Sequence, residues 1–386
     1  MPVAKSIAVF GSTGSIGKNA LEVIASSGGQ LSAVALSAHS KCELLLEQAQ
    51  QLRPRWVIVT DSEAARQFDW KYLPVDCELL IGPESLNRIA SEPDVDVVLA
   101  AIVGSAGLQS TWTALENGKT VALANKETLV MAGRLMMELA RENDGQLVPV
   151  DSEHSALFQA LQAGKTSEVD KLIITGSGGP FRHATPVELQ QVTVAEALDH
   201  PTWNMGPKNT IDSATLMNKA LEIIEARWLF DIPAEKISVA IHPQSIVHSL
   251  VEFIDGSILA QMSPPDMKMP IQYALNYPDR QPAVAERLDW TQAFHLEFEP
   301  PNPERFPALL LGAECAKRGG TSGAVLSAAN EAAVGGFLDG ELHFTEIVPA
   351  CRSILGAHHF EPNPSLERLV ELDRWAREEV SRWVCA

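Results

Sequence analysis

Along the first 150 residues, short apolar runs recur between stretches of helical spacing: Ile7–Phe10, Ala33–Leu36, Trp56–Val59, Val97–Val103, Val121–Ala124 and Leu147–Val150. Runs of this length, rich in β-branched residues, predict strands buried on both faces, and the amphipathic stretches between them predict the covering helices. The alternation defines a doubly wound, Rossmann-like α/β domain over residues 1–150. The pattern changes after Asp151. Predicted strands at Leu172–Thr175, Ser238–Ile241, Ile246–Phe253 and Ile258–Gln261 accompany a long helix from about Asp212 to Phe230. An Asp-Gly turn joins the last two strands, so this region reads as an α+β domain with a partly antiparallel sheet, residues 151–276. Proline-rich residues 277–305 read as a linker. Residues 306–386 are helical in pattern, at Ala308–Lys317, Ala324–Leu338, Thr345–Leu355 and Leu366–Val384.

Composition narrows the field of functions. Lys and Arg number 30 against 49 Asp and Glu, a net charge of -19, and no basic run offsets it. Such a surface repels nucleic acid and anionic membranes, so neither is an expected partner. The five cysteines are scattered and form no C-x-x-C pair, which argues against a disulfide framework and a zinc site. The longest apolar run, near Val97 to Leu108, contains Gly and Ser and is shorter than a membrane span needs. A cytoplasmic protein is the expectation.

Directly after the first predicted strand stands Gly11-Ser-Thr-Gly14-Ser-Ile-Gly17, followed by the helical Lys18–Ala25. Glycines at a strand-to-helix junction permit a tight turn and close approach of a pyrophosphate, whose charge a helix N-terminus favours. The spacing is G-x-x-G-x-x-G, and an ordinary glycine turn is the competing reading. At the end of the second strand, where an NAD site presents a carboxylate to the ribose, the chain reads Ser37-Ala-His39-Ser40-Lys41. With no carboxylate and one cation, Ser40 and Lys41 suit the extra phosphate of NADPH.

Asp151-Ser152-Glu153 follows the last strand of the first region, and in extended chain a period of two puts both carboxylates on one side. On the helix after Asp212, Asn218, Lys219 and Glu222 share a face through spacings of three and four. An all-oxygen cluster of this kind selects Mg²⁺ or Mn²⁺. From spacing alone, solvated carboxylates on a wet helix face are the alternative.

Further motifs follow in order: Ala124-Asn-Lys-Glu127, Pro149-Val-Asp-Ser-Glu-His154, Thr175-Gly-Ser-Gly-Gly-Pro-Phe181, His200-Pro-x-Trp203-x-Met205-Gly206, Asp212-Ser-Ala-Thr215, Met217-Asn-Lys219, His242-Pro-Gln-Ser245 and Ala328-Ala-Asn-Glu331. With the glycine loop, they resemble the motifs of the 1-deoxy-D-xylulose 5-phosphate reductoisomerase family across nearly the whole chain. The segment His39-Ser40-Lys41 departs from that pattern, which usually has a Gly there. The resemblance implies an NADPH- and metal-dependent oxidoreductase of non-mevalonate isoprenoid biosynthesis. Its substrate would be a phosphorylated keto-sugar, rearranged by retro-aldol and aldol steps and reduced to 2-C-methyl-D-erythritol 4-phosphate.

The resemblance also implies roles for particular residues. Asp151, Glu153 and Glu222 would ligate the metal. Lys126, Ser152, Glu153, Ser177, His200, Ser213, Asn218, Lys219 and Glu222 would contact substrate, with Lys126, Glu153 and His200 closest to the chemistry. Trp203 would lie over the substrate from a flap running from His200 to Gly206. Thr13, Gly14, Ser15, Ile16, Asn125, Glu127 and Gly206 would contact the cofactor. A homodimer is implied as well. The rival readings are an NADP-dependent dehydrogenase of another small aldehyde, which would not need the carboxylate cluster, and a dinucleotide-sensing protein, which would not turn over.

Overall fold

The computed structural model describes residues 4–203 and 205–384. The chain forms two compact units, the first from residues 1–128, 136–155 and 266–287 and the second from 129–135, 156–265 and 288–386.

The first unit carries a seven-stranded parallel sheet: β1 (Lys5–Phe10), β2 (Leu31–Ala38), β3 (Trp56–Val59), β4 (Glu78–Ile81), β5 (Val97–Ala100), β6 (Thr120–Leu123) and β7 (Gln146–Pro149). Their spatial order is β4-β3-β2-β1-β5-β6-β7, so the direction of winding reverses between β1 and β5. Ligands of doubly wound sheets bind at the carboxyl ends beside that reversal. Ile7, Val9, Leu36, Ile58, Leu99 and Leu123 are fully buried, as strands covered on both faces require. Strand β4 escapes the apolar pattern because it is a half-exposed edge of four residues, Glu-Leu-Leu-Ile. The expected strand Val97–Val103 ends at Ala100, and residues 101–103 turn into a 3₁₀ segment at Gly104–Gly107, where Gly104 has φ +74°.

Residues 266–287, divided in the sequence reading between the second region and the linker, pack with the first unit instead. The helix Lys268–Asn276 buries Ile271, Ala274 and Leu275, and Lys268 Nζ pairs with Glu22 Oε2 at 2.6 Å on the helix Ser15–Ala25. The apolar face of this short helix needs a partner, and the first sheet's covering helix supplies it.

The second unit has a mixed sheet in the order β11-β10-β8-β9, built from β8 (Val169–Gly176), β9 (Ile237–Ile241), β10 (Val247–Phe253) and β11 (Ile258–Met262). Strands β8 and β9 are parallel, while β10 runs antiparallel to β8 and β11. Gly256, at φ +83° in the expected Asp-Gly turn, joins β10 to β11. The predicted helix from Asp212 to Phe230 is two helices, Pro207–Ala214 and Met217–Leu229. Leu216 breaks it in the left-handed region at φ +57°, and Thr215 Oγ1 accepts the amide of Met217. No Gly or Pro marks this break, so the pattern runs through it.

The C-terminal helices Ala308–Arg318, Ser322–Leu338, Ile347–Ala357 and Leu366–Val384 lie where expected, the third entered through a 3₁₀ turn at Phe344–Glu346. Their apolar residues share one continuous core with the helix Met217–Leu229 and with Leu172 and Ile174 of β8. Among the described residues, no helix is long and apolar enough to cross a membrane.

Candidate active site

The glycine loop closes at the end of β1 as a turn in which the amide of Gly14 donates to Gly11 O at 3.1 Å. Gly11 has φ +90°, and a Cβ there would lie 2.7 Å from Ala101 O on the neighbouring strand end. A Cβ at Gly17 would sit 2.3 Å from Gly11 O, so only glycine lets the helix Ser15–Ala25 start this close to the strand. Ser12 fixes the loop from below, donating to Gln48 Oε1 at 2.7 Å while Gln48 Nε2 donates to Ser12 O at 2.9 Å. Above it opens a pocket of about 550 Å³ at the reversal point of the sheet, lined by Gly11, Thr13, Gly14, His39, Ile102 and Val103 among others. Ser15 is exposed and Ile16 partly so at the helix start. Uncapped amides, a glycine cradle and apolar walls fit a dinucleotide with its pyrophosphate over the helix.

Sequence reasoning placed the segment His39-Ser40-Lys41 at the cofactor without giving His39 a contact of its own, and did not single out Thr60. The place of these two residues at the ends of β2 and β3 was the available signal. His39 Nδ1 and Thr60 Oγ1 are 3.0 Å apart. Ser40 and Lys41 line an adjoining pocket with Cys42, Glu43 and Phe68, and Lys41 is exposed at the head of the helix Cys42–Leu52. Nearby Asp61 is held ionised, below the usual carboxylate range, chiefly by the amide of Ala64.

At the end of β6, Asn125 caps the helix Lys126–Glu142 by accepting the amide and hydroxyl of Thr128 at 3.0 and 3.1 Å. Its amide nitrogen donates to Ile102 O and, at 2.8 Å, to Gly104 O, pinning the loop that walls the nucleotide pocket. Glu127 is buried in the first turn of this helix. Lys126 projects from the helix start to Asp151, Nζ to Oδ2 2.9 Å, with both side chains nearly buried.

Asp151 and Glu153 are not in extended chain. The strand stops at Pro149, and Asp151 precedes the helix Ser152–Ala160, accepting the amide of Glu153 at Oδ1 (3.3 Å) and that of Ser155 at its carbonyl. Asp is a favoured cap because its oxygen replaces the missing intrahelical acceptor. The two carboxylates still converge, with ligand oxygens within 4.8 Å of each other. Ser152 Oγ donates to Glu153 Oε2, orienting that group. Two carboxylates at this spacing offer oxygen ligands only, a donor set that fits Mg²⁺ or Mn²⁺.

In the second unit, the loop after β8 places Gly178 and Gly179 at φ +86° and +67°. A Cβ at Gly179 would be 2.8 Å from Ser213 O, and one at Gly176 would be 2.9 Å from Lys219 Cε. The loop therefore lies directly on the two helices that carry Ser213 and Lys219. His200 bridges the elements: its Nε2 is 3.2 Å from Ser177 Oγ and 3.0 Å from Ser213 Oγ. Its Nδ1 accepts the amides of Thr202 and Trp203 at 3.1 and 2.9 Å, so the neutral ring carries its proton on Nε2. The ring of Trp203 is 6.2 Å from that of His248, and Gly206 is exposed at the start of the helix Pro207–Ala214. Glu222 is fully buried; Lys219 Nζ donates to its Oε2 at 2.6 Å, and Asn218 Nδ2 donates to its Oε1. The result is a hydroxyl, imidazole and ammonium cluster beside a glycine loop, suited to phosphate.

Burial, and secondarily the Lys219 ammonium, holds His200 below its ordinary pKa of 6.5. Because the folded value is the lower one, the stability linked to His200 is fully present above about pH 6.5. It is lost as the pH falls below that, where the unfolded chain takes up a proton that the folded chain resists. Replacing His200 by Gln is expected to flatten the fall in melting temperature between about pH 7 and pH 5. Parallel pH profiles for the two proteins would contradict this assignment.

His242 and His248 serve structure. His242 stacks on Phe298 with ring centroids 4.7 Å apart and accepts the amide of Ile246, and His248 Nε2 lies 2.9 Å from Ser263 Oγ.

A dinucleotide cradle at the sheet reversal, a carboxylate pair held by a lysine, and a phosphate-type cluster define the class: a nucleotide-dependent enzyme acting on a phosphorylated small molecule. Family profiles sharpen this. Residues 7–133 match 1-deoxy-D-xylulose 5-phosphate reductoisomerase, 147–230 match its C-terminal domain, and 262–379 match the DXP reductoisomerase C-terminal domain. The chain belongs to the 1-deoxy-D-xylulose 5-phosphate reductoisomerase family. It is 49% identical to the enzyme of that name from Geobacter metallireducens, covering 97% of this chain and 98% of the relative. It is 47% identical to that from Rhodopirellula baltica, covering 97% and 94%. Among solved structures, the reductoisomerase of Zymomonas mobilis in complex with NADPH superposes with a TM-score of 0.92 at 41% identity, covering 99% of each chain. A DOX-P reductoisomerase in complex with NADPH, fosmidomycin and magnesium gives 0.92 at 38% identity over 98% of each.

Proposed function

We infer that this protein converts 1-deoxy-D-xylulose 5-phosphate to 2-C-methyl-D-erythritol 4-phosphate with NADPH and a divalent cation, a step of isoprenoid biosynthesis. The observation that carries the reading is full-length family membership together with the intact Lys126–Asp151 pair and the Ser177–His200–Ser213 cluster. When bound, NADPH supplies the hydride and Mg²⁺ or Mn²⁺ supplies Lewis-acid polarisation of the ketone.

In this reading Asp151, Glu153 and Glu222 are the metal ligands, and Lys219 and Asn218 hold Glu222 in one rotamer. Lys126 steadies Asp151 and donates a hydrogen bond to a substrate oxygen, while Glu153, with Ser152 at its Oε2, is suited to move a proton at a substrate hydroxyl. Ser177, Ser213, Asn218 and Lys219 hold the phosphate. His200 donates from Nε2 to the same group, because two backbone amides occupy its Nδ1. Trp203 covers the substrate and excludes water. Thr13, Gly14, Ser15, Ile16, Asn125, Glu127 and Gly206 serve the cofactor, with Ser40 and Lys41 at its 2′-phosphate. The first region is the NADPH domain, the second the catalytic domain and the third its helical support. NADPH oxidation with the keto-sugar phosphate, present only with Mg²⁺ or Mn²⁺ and lost with EDTA, tests the reading; cofactor oxidation indifferent to metal would overturn it.

Gly17→Ala is expected to weaken NADPH binding by at least about tenfold, or about 1.4 kcal/mol, because the loop must leave the pyrophosphate to make room for the methyl group. Fluorescence titration checks this, and an unchanged dissociation constant would place the pyrophosphate elsewhere.

A cytoplasmic homodimer completes the reading. Strand β11 is an edge of the second sheet, and its exposed Ile258 and Leu259, on opposite faces, make that edge apolar and suited to pairing with a second copy. Leu259→Lys is expected to shift sedimentation from dimer to monomer. A dimer unaffected by that change would exclude this edge.

A further inference from the structure

A fully buried carboxylate stands next to Ser213, and the roles above leave it unused. Asp212 is 0% exposed on the helix Pro207–Ala214. Lys208 Nζ, one turn earlier, approaches its Oδ2 at 2.9 Å. Asn330 Nδ2, from the helix Ser322–Leu338, donates to its Oδ1 at 2.7 Å. Asn330 belongs to the Ala328-Ala-Asn-Glu331 motif, far along the chain from any ligand-binding residue named above.

Burying an ion pair is costly, and an apolar replacement of similar shape is often at least as stable. What such a group provides best is register: Lys208 holds the Asp212 carboxylate from within the same helix, and only one rotation of that helix presents it to Asn330 on the other. That rotation matters at the next residue. Ser213 Oγ bonds His200, and Ser213 O is the atom that a Cβ on Gly179 would strike at 2.8 Å. The glycine loop thus rests on the helix at Ser213 with no slack, and a small roll of the helix displaces hydroxyl, imidazole and loop together.

We propose that Asp212 and Asn330 are positioning residues that lock the rotation of this helix, with Lys208 holding the Asp212 carboxylate, and so set the geometry of the phosphate pocket around Ser177, His200 and Ser213. The proposal rests on the phosphate reading of that pocket.

Three variants test it in the intact enzyme. Asp212→Asn keeps the shape, removes the charge, and is expected to raise KM for the keto-sugar phosphate about tenfold or more, since displacements near 1 Å have large kinetic effects. The NADPH dissociation constant is expected to stay unchanged. The triple variant Lys208→Met, Asp212→Leu and Asn330→Leu, which leaves no buried partner unpaired, is expected to regain wild-type melting temperature while KM remains raised, a split that a merely structural role would not give. If KM returned to the wild-type value as stability did, or if Asp212→Asn left KM unchanged, the positioning role would be overturned. Ser213→Ala separates the two levels. A raised KM in Ser213→Ala with an unchanged one in Asp212→Asn defeats this proposal alone, whereas an unchanged KM in Ser213→Ala defeats the phosphate reading beneath it.

Discussion

Asp151→Asn is expected to lower kcat/KM by about a thousandfold, corresponding to the several kcal/mol that Lewis-acid stabilisation contributes to a transition state. Folding is expected to survive. The oxygen that accepts the amide of Glu153 persists in asparagine, which caps helices as well as aspartate does. The carboxylate charge does not persist, and with it goes the 2.9 Å ion pair to Lys126. The change therefore strikes the metal site and the lysine together while sparing the helix. NADPH affinity should be unaltered, because the glycine cradle lies at the reversal of β1 and β5 and Asp151 follows β7. Steady-state kinetics with circular dichroism provides the check. A variant that is folded, binds NADPH and retains activity within about tenfold would remove Asp151 from the metal ligands.

The second large effect concerns stability. Lys219→Met removes the ammonium 2.6 Å from Glu222, whose side chain is fully buried. Breaking a buried pair from one side costs about 3–5 kcal/mol, because the remaining charge stays in a low-dielectric site. In a unit of this size the melting temperature is expected to fall by on the order of 10 °C. Adding Glu222→Gln should restore most of that loss, since a neutral amide needs no ammonium beside it, while activity stays absent. The double-mutant cycle would thus show strong coupling in stability. Additive losses of melting temperature would instead mean that Lys219 and Glu222 act independently in the fold.

Much of the fold was legible because its strands are buried on both faces and so read as continuous apolar runs. The six runs from Ile7 to Val150 each overlap a strand of the first sheet, and β4 was lost because an exposed edge of four residues has no such run. Tertiary packing decided the rest. The helix Lys268–Asn276 returns to the first unit through contacts distant in sequence, and Leu216 breaks a helix with no breaker residue in view.

At the site, the glycine loops were legible because close approach demands glycine, and the backbone oxygens facing Gly17 and Gly179 are the reason. The Asp-x-Glu pair was legible in identity but not in geometry, since a helix cap replaced the extended chain assumed for it. Asp212 and Asn330 were visible only as letters in motifs, because 118 residues separate the two partners. Thr60 at the nucleotide pocket required the strand order, which no local pattern provides, whereas His39 already stood in the segment read at the end of the second strand.

The most direct test of the central claim follows the carbon skeleton rather than the cofactor. The keto-sugar phosphate, labelled with ¹³C, would be incubated with enzyme, NADPH and Mg²⁺, and the product examined by NMR. A branched polyol phosphate, 2-C-methyl-D-erythritol 4-phosphate, formed in step with NADPH oxidation, is the expected result. A reduced but unbranched product would contradict it, because the chain would then be a simple dehydrogenase with no rearrangement at its carboxylate cluster.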